Sequence, residues 1–275
     1  MKRLRVTRQR RCPICGRDHW CLVAPDGSDC ICTKVQSDRR IGDAGWLHKL
    51  AGAGTAPSTV RFDPLRSPAS APARNWPLEV TQRRNPAEVA RQAELLGVSP
   101  ASLEALEAGW DQRHAALSFP MRDSRRRIIG LRLRTTDGSK FAVPGSRNGL
   151  FIPVERVGNV LAVAEGPTDT AALLTLGFSA IGRPHNTGGH EALVGFCRRE
   201  PPSSGRVVIF ANADPPRTAS GALTEEAARR LAHALAMLEL EARIVRPPAP
   251  HKDVRAWLRA GAGGSALREQ IEGSL

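Results

Sequence analysis

Between positions 127 and 134 the chain reads RIIGLRLR, and apolar and polar side chains alternate. Ile129, Leu131 and Leu133 share one face of an extended chain, while Gly130, Arg132 and Arg134 share the other. Two further strand-like runs flank it, AALSFPM at 115–121 and KFAVPG at 140–145. Asp137-Gly138 in TTDGSK reads as a hairpin turn. These residues predict an antiparallel sheet with one apolar face and one arginine-bearing face. Two short helices precede it, from Asn85-Pro86 to Gly97 and from Ser99-Pro100 to Gly109. Neither carries a basic reading face, so they read as a helical support rather than a DNA-reading helix-turn-helix.

From 159 the pattern changes to alternating strands and helices. Strands are predicted at 159–165, 178–182, 206–210 and 241–247. Helices are predicted at about 168–176, at 224–240 and near 253–260, with an unassigned segment around His190–Cys197. Such alternation implies a mainly parallel α/β sheet with helices on both faces. Ligands of such sheets sit beyond the carboxyl ends of the strands. The stretch 51–74 is rich in Ala, Pro, Ser and Gly without hydrophobic period, which is linker composition. The chain therefore divides into 1–50, a linker at 51–74, a basic α+β subdomain at 75–158 and the α/β domain at 159–275.

Charge sharpens this picture. Lys and Arg outnumber Asp and Glu by 40 to 27, which gives +13 and favours a polyanionic partner such as nucleic acid. No apolar run is long enough to span a bilayer, and the basic N-terminus lacks an apolar signal core. The expectation is a soluble, cytoplasmic protein without a membrane partner.

Five of the six cysteines lie between 12 and 32, which points to a metal in a reducing compartment. Cys12 and Cys15 form a knuckle closed by Gly16. Zinc needs four soft donors, and Cys12, Cys15, Cys21 and Cys32 make the best set. Cys30 or His48 can replace Cys21, His19 is a spare imidazole, and an iron–sulfur cluster is the alternative metal. At the other end of the chain, acids recur just after predicted strands: Glu165, with Asp169 in the following turn, then Asp214, then Asp253. Oxygen ligands at a sheet edge suit Mg²⁺ or Mn²⁺. Asn212, two residues before Asp214, supplies an amide in that series. The glycine-rich turn around His185 and His190 reads as either a phosphate cradle or an ordinary loop.

These segments resemble a known family. EGPTDTAALLTLGFSAIG, VVIFANADPP with Gly221, and PPAPHKDVRAWLRAG resemble the Toprim domain shared by DnaG-type primases, topoisomerases and some nucleases. CPICGRDHWCLVAPDGSDCICTKV with GWLHKL resembles the N-terminal zinc ribbons of phage- and plasmid-type primases, which points to a mobile element. The stretch from ALSFPM to NGLF looks like the basic N-terminal subdomain of a primase core. The resemblance implies a primase making short RNA primers on single-stranded DNA from ribonucleoside triphosphates, with a separate replicative helicase as partner. It makes Glu165 a metal ligand or general acid/base and Asp214 and Asp253 metal ligands, with Asn212 where the family has an aspartate. Arg122, Arg132, Arg134, Lys140, Arg147 and Lys252 would face template or triphosphate, and zinc would serve structure and template contact. A Toprim protein that only binds nucleic acid, and a metal-dependent nuclease, are the alternatives. The sequence holds no P-loop, and without tyrosine it excludes tyrosine-dependent topoisomerase chemistry.

Overall fold

The computed structural model describes residues 3–7, 9–41, 44–50, 74–155, 158–185, 188–213 and 219–272. The expected linker, apart from Arg74, lies outside these residues, and so does Asp214. The chain forms two units, Met1–Ala69 and Ser70–Leu275.

The smaller unit is an antiparallel sheet of four short strands in chain order: β1 (Leu4–Arg5), β2 (Leu22–Val23), β3 (Asp29–Cys32) and β4 (Trp46–Lys49). Its buried cluster is Val6, Cys12, Cys21, Val23, Cys30 and Cys32. Two valines cannot stabilise a unit of this size, so the cysteines occupy the place of a core. Arg3, just before β1, reaches the first residue of β3, donating to both carboxylate oxygens of Asp29 at 2.8 and 2.9 Å.

The larger unit opens with three helices, α1 (Trp76–Gln82), α2 (Pro86–Leu96) and α3 (Pro100–Ala105). Each starts the same way. A capping side chain, Asn75, Asn85 or Ser99, accepts a backbone N–H of the first turn, and a proline follows it. Helix α1 adds to the two helices expected from sequence. Helix α3 stops at Ala105, short of the expected Gly109, because residues 109–111 are drawn into a sheet as β5 (Gly109–Asp111). Gly109 makes this possible: a Cβ there would sit 2.6 Å from the Arg83 carbonyl.

Strands β5, β6 (Ala116–Arg122), β7 (Ile128–Thr135) and β8 (Lys140–Ala142) form an antiparallel sheet in chain order. The alternation of β7 holds from Leu131 to Arg134, with Leu131 and Leu133 fully buried and Arg132 and Arg134 on the open face. A register shift opposite Met121 and Arg122 breaks it earlier, and Ile128 rather than Ile129 packs with those leucines. The hairpin turns at Asp137-Gly138, where the Gly138 N–H donates to the Thr135 carbonyl.

The second sheet comprises β9 (Leu161–Glu165), β10 (Ser179–Arg183), β11 (Arg206–Phe210) and β12 (Glu241–Val245), all parallel, in the order β10-β9-β11-β12. Interleaved are α4 (Gly166–Thr175), α5 (His190–Arg199), α6 (Ala219–Ala236), α7 (Val254–Arg259) and α8 (Gly264–Glu272). Successive strand residues fall into two separate cores. Leu161, Val163, Val207 and Ile209 pack with α5 and α6 through Leu193, Phe196, Leu231 and Leu235. Ala162, Ala164, Val208 and Phe210 pack with α4, α7 and α8 through Leu173, Trp257 and Leu267. The sheet is therefore covered on both faces. The segment around His190–Cys197 is helix α5, and α8 follows the last expected helix. Helix α6 runs earlier than expected, ending at Ala236, where the Leu235 carbonyl accepts from Leu240 and turns the chain toward β12. Among the described residues no helix is long and apolar enough to cross a membrane.

Leu150 and Phe151 join the two sheets of this unit. Leu150 exchanges two backbone hydrogen bonds with Arg122 of β6, each 2.8 Å, and Phe151 exchanges two with Gly182 of β10, each 2.9 Å. The approach at Gly182 is tight, since a Cβ there would lie 2.3 Å from Thr170 Oγ1 and 3.0 Å from Phe151 Cδ2. Gly182→Ala should therefore destabilise the protein by about 1–3 kcal/mol, the usual cost of overpacking. Urea denaturation checks this, and an unchanged midpoint would show that the junction can relax.

Candidate functional site

In the order β10-β9-β11-β12 the chain leaves β9 on one side and later returns to its other side. The carboxyl ends of β9 and β11 therefore flank a switch point, where open α/β sheets form their ligand crevice. Glu165 ends β9, and Gly166, at φ +77°, turns the chain at once into α4. Asp169 lies one helical turn on and is 7% exposed. Asn212 follows β11 by two residues, and its Nδ2 donates to Glu165 Oε2 at 3.2 Å. Asp253 caps α7 by accepting the Ala256 N–H at 2.7 Å. The Ala213 N–H donates to the Lys252 carbonyl at 2.8 Å, which ties this last segment to the end of β11.

These groups line one cleft of about 350 Å³. Glu165, Asp169, Asn212 and Asp253 form its acidic and amide side. Arg132 and Lys140 reach it from the antiparallel sheet, and Lys252, Arg255 and His185 complete the lining. Carboxylates and cations thus line the same cleft.

Burial governs the electrostatics here. It pushes the Asp169 carboxyl up to about 7, with the neighbouring Asp253 charge adding to the effect and Arg255 and Lys140 opposing it. Burial lowers Arg132, Arg134 and Lys140, and Arg255 and Arg134 respectively add repulsion to the last two. His185 is lowered by burial and then by Arg132 and Arg183, which favours its neutral imidazole. Among the described residues the acids do not close into a cluster; they line an open cleft. Hard oxygen donors with room between them fit Mg²⁺, which keeps several waters.

Other expected residues lie elsewhere. Arg122 pairs with Glu107 and donates to the Arg126 carbonyl at 2.6 Å. Arg147 is exposed and does not line the cleft. Arg134, which donates to the Gly138 carbonyl at 3.5 Å, does not line it either, but is close enough for its charge to interact with Asp169, Asp253 and Arg255. Three residues outside the sequence-derived site belong to it. Asp169 carried a signal, four residues after Glu165 at the head of a helix. Arg255 lies two residues after Asp253. Arg183 carried none: it ends β10, is 1% exposed, and places Nη2 3.8 Å from Glu165 Oε1.

In the smaller unit Cys12, Cys15, Cys21 and Cys32 converge, with all four sulfurs within 4.8 Å of one another. Cys30 lies against Cys12, sulfur to sulfur 3.5 Å, outside this group of four. His48 instead bonds the Val35 carbonyl at 3.0 Å, and His19 bonds Asp18. Backbone amides of Lys34 and Val35 point at Cys32 Sγ from 3.4 and 3.3 Å. Burial pushes the Cys12 thiol up to about 11 and the Cys15 thiol to about 12. Thiolates packed so closely need a dication among them, and four soft donors fit tetrahedral zinc.

Cys12→Ser should lower zinc content below one per chain, whereas Cys197→Ser should not; metal analysis decides, and full zinc in the first variant removes Cys12 from the ligand set. Asp169 predicts a pH effect. Its carboxyl keeps a proton to about pH 7 when folded, but releases it near pH 4 when unfolded. The resulting stability is complete below about pH 4 and lost as pH rises through about 7. In buffer without divalent metal, Asp169→Asn should be more stable by about 2–4 kcal/mol at pH 8 and level with the wild type below about pH 4. Urea unfolding across that range checks it, and a gap independent of pH would rule out the buried charge as its cause.

No protein-family model matches the chain, and no curated protein matches it. Solved structures do. A DnaG primase catalytic domain bound to single-stranded DNA aligns with a TM-score of 0.54 at 18% identity, over 72% of this chain and 76% of that one. The RNA polymerase domain of Mycobacterium tuberculosis primase DnaG gives 0.51 at 18%, over 71% and 81%. The zinc-binding and RNA polymerase domains of Aquifex aeolicus primase give 0.51 at 15%, over 67% and 55%. The chain shares the fold of DnaG-type primase catalytic domains, and its four-cysteine cluster resembles a zinc-binding site.

Proposed function

We propose that this chain is a DNA primase that makes short RNA primers on single-stranded DNA by Mg²⁺- or Mn²⁺-dependent nucleotidyl transfer. One observation carries the reading: at the switch point Glu165 and the Asn212 amide meet, and Arg132 and Lys140 line the same cleft. Phosphoryl transfer needs little covalent help from a protein and depends on positioning and charge. A cleft lined by both hard oxygen donors and cations supplies both.

In this reading residues 159–275 are a Toprim domain, 75–158 the basic subdomain of the primase core and 1–50 a zinc ribbon that contacts template. Glu165, Asp214 and Asp253 would hold the divalent ion, with the Asn212 carbonyl oxygen and Asp169 beside them. The ion, when bound, supplies positive charge to the triphosphate. Arg132, Lys140 and Lys252 orient triphosphate or template, and Arg134 adds positive potential behind them. The 3′-hydroxyl oxygen bonds to the α-phosphorus as the bond to pyrophosphate breaks, and Glu165 either takes the hydroxyl proton or ligates the ion. Single-stranded DNA is the template by analogy with the DNA-bound DnaG domain. A helicase partner belongs to the same reading.

A second reading has a specific observation behind it. Asn212 brings no charge and turns its amide N–H toward Glu165, as suits a domain that binds nucleic acid without chemistry. Labelled ribonucleotides, single-stranded DNA of mixed sequence and Mg²⁺ or Mn²⁺ separate the two. Short RNA products are expected from the wild type, and Glu165→Ala should reduce them at least about 100-fold while leaving DNA binding intact. Products that persist in the variant would sink the proposed site. Salt-sensitive DNA binding without products, even with a helicase added, would establish the binding-only protein, and shortened template would make it a nuclease.

A further inference from the structure

Arg183 is the largest fully buried side chain among the described residues. A buried guanidinium demands a partner, because isolated charge is costly away from water. Arg183 stands in register with Glu165 across the β9–β10 pair, and its Nη2 is 3.8 Å from Glu165 Oε1. Its Nη1 is 2.9 Å from His190 Nε2 at the head of α5. A guanidinium can only donate, so that imidazole nitrogen is the acceptor and His190 is neutral, with its proton on Nδ1. His190 therefore braces Arg183 without competing for Glu165.

Glu165 is thus engaged on both oxygens, Oε1 facing a fixed cation and Oε2 accepting from the neutral Asn212 amide. Relative to a carboxylate at position 212 and no arginine at 183, each feature makes the edge one unit more positive. Together they offset the charge of one divalent ion. Two-ion phosphoryl-transfer sites rely on a surplus of carboxylates to hold both cations. This edge has given up part of that surplus.

We propose that Arg183 is a positioning residue that acts as a built-in counter-cation for Glu165, so that the carboxyl edge of this chain takes one divalent ion in place of two. The proposal rests on the primase reading only in requiring that this edge bind a divalent ion.

Mn²⁺ binding to the full, zinc-loaded chain tests it, with free Mn²⁺ followed by electron paramagnetic resonance in the absence of nucleotide. One ion per wild-type chain is expected. Arg183→Gln should raise Mn²⁺ affinity about tenfold or admit a second ion, because an opposite charge at this range biases an acid by about one to three decades. That gain separates released charge from damage to the fold, which would weaken binding. Arg183→Lys should behave like the wild type, and Arg183→Gln should have no effect once Glu165→Gln is also present. Two ions in the wild type would overturn the proposal, as would no ion at all. A folded Arg183→Gln protein with unchanged or weaker Mn²⁺ affinity would also overturn it. Where that variant does not fold, the wild-type stoichiometry decides. Primer synthesis with two bound ions would leave the primase reading standing and remove only this inference.

Discussion

The larger unit depends on a seam two residues long. Leu150 and Phe151 each pair through their backbones, one with β6 and the other with β10. The four hydrogen bonds have no side-chain content, yet they fix the antiparallel sheet beside the parallel one. Both residues are fully buried, so no water competes for these bonds. Gly182 permits the contact by having no side chain to push the two backbones apart. This seam acts with the core that β6 shares with β9 and α4, and with the Arg126–Glu200 ion pair. Together they set the distance of Arg132 and Lys140 from Glu165 and so give the cleft its shape. The shape of the cleft therefore rests in part on residues that do not line it.

Charge is the second constraint, and it is uneven. The cations lining the cleft, Arg132, Lys140, Lys252 and Arg255, outnumber its described acids, Glu165, Asp169 and Asp253, and burial pushes the Asp169 carboxyl up to about 7. The smaller unit solves a similar problem with sulfur. Its cysteines are buried as apolar residues would be, and four of them converge as a zinc-binding site would, in a sheet whose first two strands are only two residues long.

Local pattern revealed a good part of this, and the reasons are physical. RVVIF occupies 206–210 as β11 without a residue's discrepancy, since a buried parallel strand is a short apolar run bounded by breakers. From Leu131 on, RIIGLRLR declared both its period and its faces. Helix α5 was harder to see: its apolar Leu193, Phe196 and Cys197 follow helical spacing, but ten residues beginning after two glycines read equally as a loop. The recurrence of acids after strands located the cleft, but strand order did the assembling. Nothing near position 165 says that β9 lies between β10 and β11, and that neighbourhood alone brings Asn212 to Glu165. Arg183 was invisible for a related reason, since arginine is ordinarily read as surface and its meaning here comes from a carboxylate eighteen residues away.

One hydrogen bond described above also has a mechanical meaning. The Ala213 N–H held by the Lys252 carbonyl couples the exit of β11 to the residue before Asp253. Asp253 is in turn fixed to α7 by its own cap. A displacement of Asp253 must either break that peptide bond-to-peptide contact or drag the end of β11, and Asn212 with it. The end of β11 and the start of α7 are coupled in this way along one side of the cleft.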